Sequence, residues 1–598
     1  MLWILPIIFA CSSSSTESAP SDRPDLSVEP TEQTEAEQED QSPDSVVSDA
    51  MPVLFVDYPR RATFDLSGSG LVEGRVEADG VSIDTLTVNG DTVSVDNDGH
   101  FKLPVGWKPG IQILGTRVES SNGERATDGR AFHAGPVHEP SSWIESAILM
   151  EIDHEILDDD DADPDDIAGL LELALEDPTL VESIIGMPFD MVDAIVTPTR
   201  VEYGRARIDL APTDGALDAV ISVDGIELDY LLDGAGLLSW FSTNGVASAN
   251  GVDIGLTLTV ESAGGVVRCE ASDMSVLIDG LEYDIHYVPD FLEGMTSGVA
   301  ESFIEETIIE IVRERLIPEI EALLSGFAVG ASFDTDLNFD LRLAEVSVVE
   351  EGIRFEVDAR IDAIAPMALP PKAGSMATDG DAPEWPTDKV EPFWAAVDDD
   401  LMNQLAFAFW HTGALREIEF DAALLGAISG GPLPAPLGPS DTVVMSLDLP
   451  PVLTPTQQEG WAAQIAIGEW QIEFNRKDGE VLRFSVSARS HFHTEVADDG
   501  AIEFTVDARP AHIEQAVGVL EAPEGLDPGD LAALVRLLTP PILGKASNFV
   551  PDLPIPEIAL DEFLSTPATE GKNVRVSESS VSLEENGWLL VEADIEVY

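Results

Sequence analysis

Between about Tyr58 and Pro136 apolar residues alternate with polar ones in short runs cut by tight turns. Leu86-Thr87-Val88 runs into Asn89-Gly90, and Val93 and Val95 alternate before Asn97-Asp98-Gly99. Phe101, Leu103 and Val105 follow, and Asn122-Gly123 turns the chain again. Strands at this spacing predict a small all-β module over 51–137. His133 and His138 fall at its exit, where a solvent-exposed loop is expected.

After Pro140 the period lengthens. Trp143, Ile144, Ala147, Ile148 and Ile152 stand mostly three and four residues apart, which predicts an amphipathic helix. The run Asp158 to Asp166 interrupts it. Its aspartates at 159, 161 and 163 suit a calcium loop, but the turn glycine and the late glutamate of such a loop are missing. An acidic approach to a helix beginning near Asp165 accounts for the run through the helix dipole. From about Asp193 to Val288 the pattern is long and two-periodic, clearest at Arg200–Asp209, Asp218–Asp233 and around Met274 to Ile278. That predicts long antiparallel strands with one apolar face. Gly298 to Phe327 predicts a long helix striped by Phe303, Ile304, Ile308, Ile311, Val312, Leu316, Ile320 and Leu323, kinked at Pro318. Strands resume at Gly352.

The Pro- and Gly-rich stretch 363–392 reads as a linker. The plan then repeats, with a helix through Leu401 to His411, strands, a helix from about Asp530 to Phe549, and a last strand ending at Tyr598. The fold class is α+β. The body, 138–362 and 393–598, is two copies of one plan behind the small all-β module, each with long one-sided antiparallel strands and an apolar helix to lay against them.

Charge narrows the partners. Thirty Lys and Arg against 113 Asp and Glu give a net charge of −83 over 598 residues, which repels nucleic acid and anionic membrane faces. A solvated acidic coat suited to high salt explains the excess, with recruitment of a basic partner or weak divalent-ion binding as alternatives. Only two cysteines exist, Cys11 and Cys269. If Cys11 carries lipid, no internal disulfide is expected. No Gly-x-Ser-x-Gly elbow, phosphate-cradling loop, His-Glu-x-x-His or Cys-x-x-Cys appears. His491-Phe492-His493 with Glu495 shares one strand face but lacks a distant fourth ligand. No catalytic residue, cofactor or metal is assigned.

Met1 to Ala10 (MLWILPIIFA) is too short to span a bilayer and suits the apolar region of a signal peptide over 1–10. The run Ile8-Phe9-Ala10-Cys11 resembles a bacterial lipobox, although Phe9 is bulky for its place and no Lys or Arg precedes the apolar run. It implies lipidation at Cys11; an ordinary signal peptide cleaved elsewhere is the alternative. Residues 11–50 are almost free of apolar groups and form an acidic, disordered tether. Ser12 stands where an aspartate would retain the protein at the inner membrane, so the outer membrane is expected.

Val88-Asn89-Gly90, Gly99-His100-Phe101 and Gly110 in the first module resemble the Ig-like accessory domains of bacterial surface proteins and glycosidases. A wider resemblance covers roughly 140–598. It rests on the long helix after the Cys269-bearing strand, the central Pro-rich crossing, and Leu401 to Phe420 (LMNQLAFAFWHTGALREIEF). The ending adds to it, with Pro551–Pro556 leading into Val574–Leu583 and Gly587-Trp588-Leu589-Leu590-Val591. Order and pattern here are similar to the bactericidal/permeability-increasing, lipid-transfer family of tubular lipid-binding proteins. That family's disulfide and cationic tip are both absent.

The resemblance implies two tandem barrels of curved antiparallel sheet, 138–362 and 393–598, each wrapped around a long helix, with acyl lipid, such as a phospholipid, held in a tube lined by Ile144, Ile148, Ile152, Phe303, Ile308 and Ile311 in the first barrel. Leu401, Leu405 and Phe409 would line the second. The rival readings are ordinary core packing in a structural or adhesive surface lipoprotein, and glycan binding through the Ig-like module.

Overall fold

A computed structural model describes residues 51 to 597, apart from 160–165, 176–184, 236–238, 286–303, 330–336, 427–436, 457–462, 497–501, 523–531, 544–557, 560–572 and shorter gaps. The signal segment, Cys11 and the tether lie outside the described residues. The alternation in the first module folds into β1 (Val53–Tyr58), β2 (Phe64–Asp65), β3 (Ser69–Glu77), β4 (Ile83–Val88), β5 (Asp91–Thr92), β6 (His100–Gly106), β7 (Gly110–Ser120) and β8 (Arg125–Ala134). These pair as two sheets, β1-β3-β6 and β2-β8-β7-β4-β5. Asn89 and Gly90 join β4 to β5 with φ of 49° and 89°, the left-handed pair a two-residue hairpin turn requires. Val72, Leu86, Phe101, Val118 and Phe132 fill the space between the sheets.

Both histidines expected in an exposed exit loop are drawn inside. His133 ends β8 at 0% exposure, stacked on Phe64 at 5.1 Å, and burial pushes its pKa down to about 4. His138 lies in β9 (Val137–His138), its Nε2 2.6 Å from Asp400 Oδ2. The module's end packs against the rest of the chain and holds both rings, while Pro136 and Glu139 to Ser141 between and beyond them stay exposed.

The helix expected from Trp143 to Ile152 is a strand, β10 (Ile144–Asp153). Its register shifts between Ile144 and Ile148, and Ser146 has φ 49°. A bulge adds a residue to the strand, so inward positions fall three apart before ordinary alternation resumes. Ala147, Leu149, Met150 and Ile152 are all buried, because both sheet faces are covered. The bulge and the two covered faces together imitate helical spacing.

After β10 come α1 (His154–Leu157), α2 (Ile167–Leu175), β11 (Phe189–Met191), β12 (Ala194–Tyr203), β13 (Ala206–Thr213), β14 (Ala216–Gly234), β15 (Ser242–Ala263), β16 (Val266–Asp279) and β17 (Glu282–Ile285). Then follow α3 (Ile317–Val329), β18 (Leu337–Val349), β19 (Gly352–Ala363), β20 (Ser375–Met376), β21 (Phe393–Asp398) and α4 (Asp399–His411). The remainder supplies β22 (Ile418–Asp421), β23 (Thr442–Leu447), β24 (Val452–Pro455), β25 (Ala463–Asn475), β26 (Val481–Val496), β27 (Ile502–Val506), β28 (Glu514–Glu521), β29 (Ile558–Ala559), β30 (Asn573–Leu583) and β31 (Trp588–Val597).

Three large sheets result. β11-β12-β14-β15-β16, with β13 on β14 and β17 on β15, forms the first half. β22-β23-β25-β26-β27, with β24 on β25 and β28 on β26, forms the second. Between them runs β18-β19-β10-β21-β31-β30-β29. In place of the two tandem barrels expected from the sequence, the described residues form two sheets joined by a shared central one; the first is apolar on one face, and the second is also covered by the β-module. The stretch 363–392 does not separate one sheet from another, since β10 before it pairs with β21 after it. A strand buried on both faces is stable in the middle of a sheet, where both edges also find partners. Rather than hanging free, the stretch covers the central sheet's outer face: Lys389 Nζ lies 2.8 Å from buried Glu151 Oε1, and Trp385 packs on Trp394 at 5.5 Å.

The long helix expected over 298–327 is helical at Ile304 and from Ile308, passes through a π turn at Val312–Leu316, and continues as α3. The irregularity falls just before Pro318, whose ring and missing N–H disturb the preceding turn. Phe303 lies outside the described residues. Of the helix expected near Asp530–Phe549, Ala532, Val535, Thr539 and Leu543 are helical and buried on one face, and much of the rest is not described. No helix among the described residues is long and apolar enough to cross a membrane.

At the end of the acidic run Asp166 caps α2. Asp166 accepts from the Gly169 N–H, and Asp158 Oδ2 accepts from Leu210 N at 2.9 Å; residues 160–165 are not described. The β-module is also fixed in place. β8 lies against β25, β26 and β28, and Gly129 sits so close that a Cβ there would fall 2.5 Å from Val517 N.

Candidate functional site

Helix α4 is the joint of the fold. Asp398 caps it, its side chain accepting from Asp400 N at 2.9 Å, and acidic residues in the first turn suit the positive end of the helix. Side chains then tie the helix to strand edges on two sides. Asn403 grips Leu453 through its N–H (2.8 Å) and carbonyl (3.0 Å). Gln404 Oε1 accepts from Ile361 N at 2.7 Å while its amide donates to Ser142 O at 2.9 Å. Trp410 Nε1 donates to Leu447 O at 2.7 Å.

One face of α4 lies on the central sheet. Leu401, Leu405 and Ala408 pack with Ile144 and Ala147 of β10, Leu337 of β18, and Ala359 and Ile361 of β19. Packed against this buried cluster are Ile148, Phe339, Leu341, Val397 and Phe409, all apolar and only partly buried. Five residues named as lining from the sequence therefore meet in one place: Ile144, Ile148, Leu401, Leu405 and Phe409. They join the two halves at the central sheet instead of dividing between separate tubes. Ile152 is buried in the main core, Ile308 packs partly buried against Val196, Leu228 and Leu232 of the first half, and Ile311 is half-buried on the same helix.

The first half is one-sided, as its alternation predicts. Ile208, Leu210, Ile221, Ile254, Leu256 and Leu258 point inward against α2 and α3. Helix side chains also cover the edges of this sheet. Glu321 Oε1 accepts from Cys269 N at 2.8 Å and Ser325 Oγ from Val267 N at 3.0 Å. One helical turn of four residues rises about 6 Å, close to the advance of two strand residues, so the pairs match. Glu172 does the same for Ile208 N at 3.0 Å. Burial, with Glu321's charge second, pushes the Cys269 thiol up to about 12.

A polar cluster sits at the start of α4. Asp398, Asp399 and Asp400 each offer a carboxylate oxygen, all within 4.8 Å of one another. Thr378 N donates to Asp400 Oδ1 at 2.7 Å and Thr378 Oγ1 to Asp399 Oδ1 at 2.8 Å. His138 closes the far side. Asp399 is 4% exposed, and burial pushes its carboxyl up to about 8, with the neighbouring Asp400 and Asp398 charges adding to the rise. Burial raises Asp398 too, while the hydrogen bond to Asp400 raises His138. Sequence reasoning missed this cluster, because three consecutive aspartates carry little signal among 113 acidic residues. His491 lies on β26 with Nε2 2.9 Å from Gln464 Nε2; the side chains of His493 and Glu495 lie outside the described residues.

The fold and this joint define an α+β protein of two large antiparallel sheets joined through a common central sheet. No family model matches the chain, and no curated protein matches it. Among solved structures it is similar to lipopolysaccharide binding protein, at 13% identity and TM-score 0.38, over 76% of this chain and 99% of that one. It is also similar to P47 of Clostridium botulinum E1, at 9% identity and TM-score 0.25, over 77% and 100%. Epiphyas postvittana Takeout 1 shares 16% identity at TM-score 0.18, over 23% of this chain and 76% of that one. With these TM-scores below 0.5, the functional reading rests on this chain's own geometry.

Proposed function

We propose that this chain binds an acyl lipid, a phospholipid or similar amphiphile, on the apolar ground between α4 and the central sheet. In this reading it acts as a lipoprotein tethered through an acylated Cys11 at the outer membrane, and it catalyses no reaction. The observation that carries the proposal is the set of partly buried apolar residues Ile148, Phe339, Leu341, Val397 and Phe409 packed against the buried cluster under α4. Covering such surface with an acyl chain gains about 25 cal/mol per Å² removed from water. The one-sided apolar interior of the first half supports the same reading.

The test is native mass spectrometry with lipid extraction on the chain carrying Cys11→Ser, purified in high salt without detergent. A stoichiometric acyl lipid supports the proposal and names the cargo. An empty protein that also takes up no labelled phospholipid from vesicles overturns it, leaving a structural lipoprotein whose interior is filled by its own side chains.

A further inference from the structure

The cluster at the start of α4 contains more negative charge than its surroundings neutralise. Asp398, Asp399 and Asp400 crowd their oxygens within 4.8 Å. Among the described residues no Lys or Arg pairs with any of the three, and His138, on Asp400, is the one basic partner. Thr378 supplies hydrogen bonds to Asp399 Oδ1 and Asp400 Oδ1.

A separate observation concerns satisfaction rather than crowding. Asp399 Oδ2 is buried and has no hydrogen-bond donor, although the residue is 4% exposed and its carboxylate is turned toward that of Asp398. A buried oxygen left without a donor is costly, and a cation placed on it would remove that cost. The backbone is shaped to hold this carboxylate where it is. Gly587 (φ 99°) lies beneath it, and a Cβ there would come within 2.8 Å of Asp399 Oδ1 and 3.0 Å of Oδ2. The Gly587 carbonyl meanwhile accepts from Asp399 N at 3.0 Å.

We infer that Asp398, Asp399 and Asp400 hold a hard divalent cation of the calcium class, with Asp399 Oδ2 as its innermost ligand. The donor chemistry is all oxygen and carboxylate-rich, which suits calcium. Its six to eight ligands at 2.3–2.6 Å tolerate irregular geometry, and water completes the shell. The ion neutralises the orphan oxygen and ties three regions of the chain together: the β9–β20 ribbon through His138 and Thr378, the end of β21 with α4, and the start of β31 through Gly587. This site is independent of lipid binding.

The test is calorimetric titration of the full chain with calcium chloride in about 1 M potassium chloride, which screens the acidic surface to a Debye length of about 3 Å. One saturable tight site above the weak background is expected, together with a melting temperature about 5 °C higher in excess calcium than in chelator. Asp399→Asn abolishes both, yet melts in chelator at or above the wild-type temperature, because it relieves the crowding of three carboxyls. Asp398→Asn retains a good helix cap and binds at least about tenfold more weakly. Glu227→Gln, an exposed surface change, leaves the tight site intact. A wild-type chain with no saturable site, or an Asp399→Asn or Asp398→Asn variant that binds calcium as tightly as wild type, overturns the inference.

Discussion

The Arg61 guanidinium lies 3.2 Å from Glu469 Oε1 and joins the β-module to the second half of the chain. Glu469 is 1% exposed and also accepts from the Ala131 N–H and from Ser485 Oγ at 2.6 Å. Arg61 further pairs with Asp128 and donates to the Gly129 carbonyl. Arg489 crosses the same seam to Ile111 O at 2.7 Å. Ile111, Ile113 and Ala131 of the module belong to one apolar core with Phe484, Val486 and Val517. The module is thereby a fixed portion of the body.

Arg61→Ala removes the one cation that, among the described residues, pairs with this buried carboxylate. We expect a loss of about 2–4 kcal/mol in denaturant unfolding, with Glu469→Gln in the same chain restoring some of it. Burial raises the Glu469 pKa even with Arg61 present. A raised folded-state value contributes stability that is full below the unfolded glutamate pKa and lost as pH rises through the folded one. The Arg61→Ala deficit is therefore largest in neutral to alkaline solution and shrinks on acidification. A deficit independent of pH would refute this account of the junction.

Asp166 caps α2 with its carboxyl pushed up to about 7 by burial. The stability this shift contributes is complete below the unfolded aspartate value of about 3.8 and disappears as pH rises through about 7. Asp166→Asn keeps the cap without the titration. Thermal melts should find it as stable as wild type or more so at pH 8, with the advantage gone near pH 4. Asp166→Ala loses the cap as well and costs about 1 kcal/mol.

Glu321→Ala uncovers the Cys269 N–H at the edge of β16. We expect a loss of about 1–2 kcal/mol and faster hydrogen exchange at Cys269, with Glu321→Gln close to wild type because it keeps the acceptor. Equal exchange in both variants would show that Glu321 does not seal that edge.

Phe409 and Leu405 separate ligand binding from packing. Leu405, 2% exposed, should cost about 3 kcal/mol as Leu405→Ala. Partly buried Phe409 belongs to the set proposed to face lipid, and Phe409→Ala should lower labelled-phospholipid uptake from vesicles severalfold at a smaller stability loss. Uptake unchanged by Phe409→Ala would exclude that set as the binding surface.

Near-neighbour periodicity makes the Asn89-Gly90 hairpin, the alternation of β13 to β16 and the helix at Leu401–His411 legible in the sequence, and each is present. The departures share one cause. β10 imitates a helix because its burial comes from β19 on one edge, β21 on the other and cover on both faces. His133 and His138 read as exposed because Phe64 and Asp400, which hold them, are distant in the chain. The clustering of Ile144 and Ile148 with Leu401, Leu405 and Phe409 is equally hidden, since more than 240 residues separate the two groups.

The sequence by itself determined most strands and helices outside β10, the order of the segments and the net acidity, because these depend on the period of apolar residues and on net charge. Tertiary structure alone decided that the halves share one sheet, that the β-module is fixed through Arg61 and Glu469, and that three ordinary aspartates become a buried cluster. Pairing, desolvation and the approach of distant charges depend on which surfaces meet, and no local period records that.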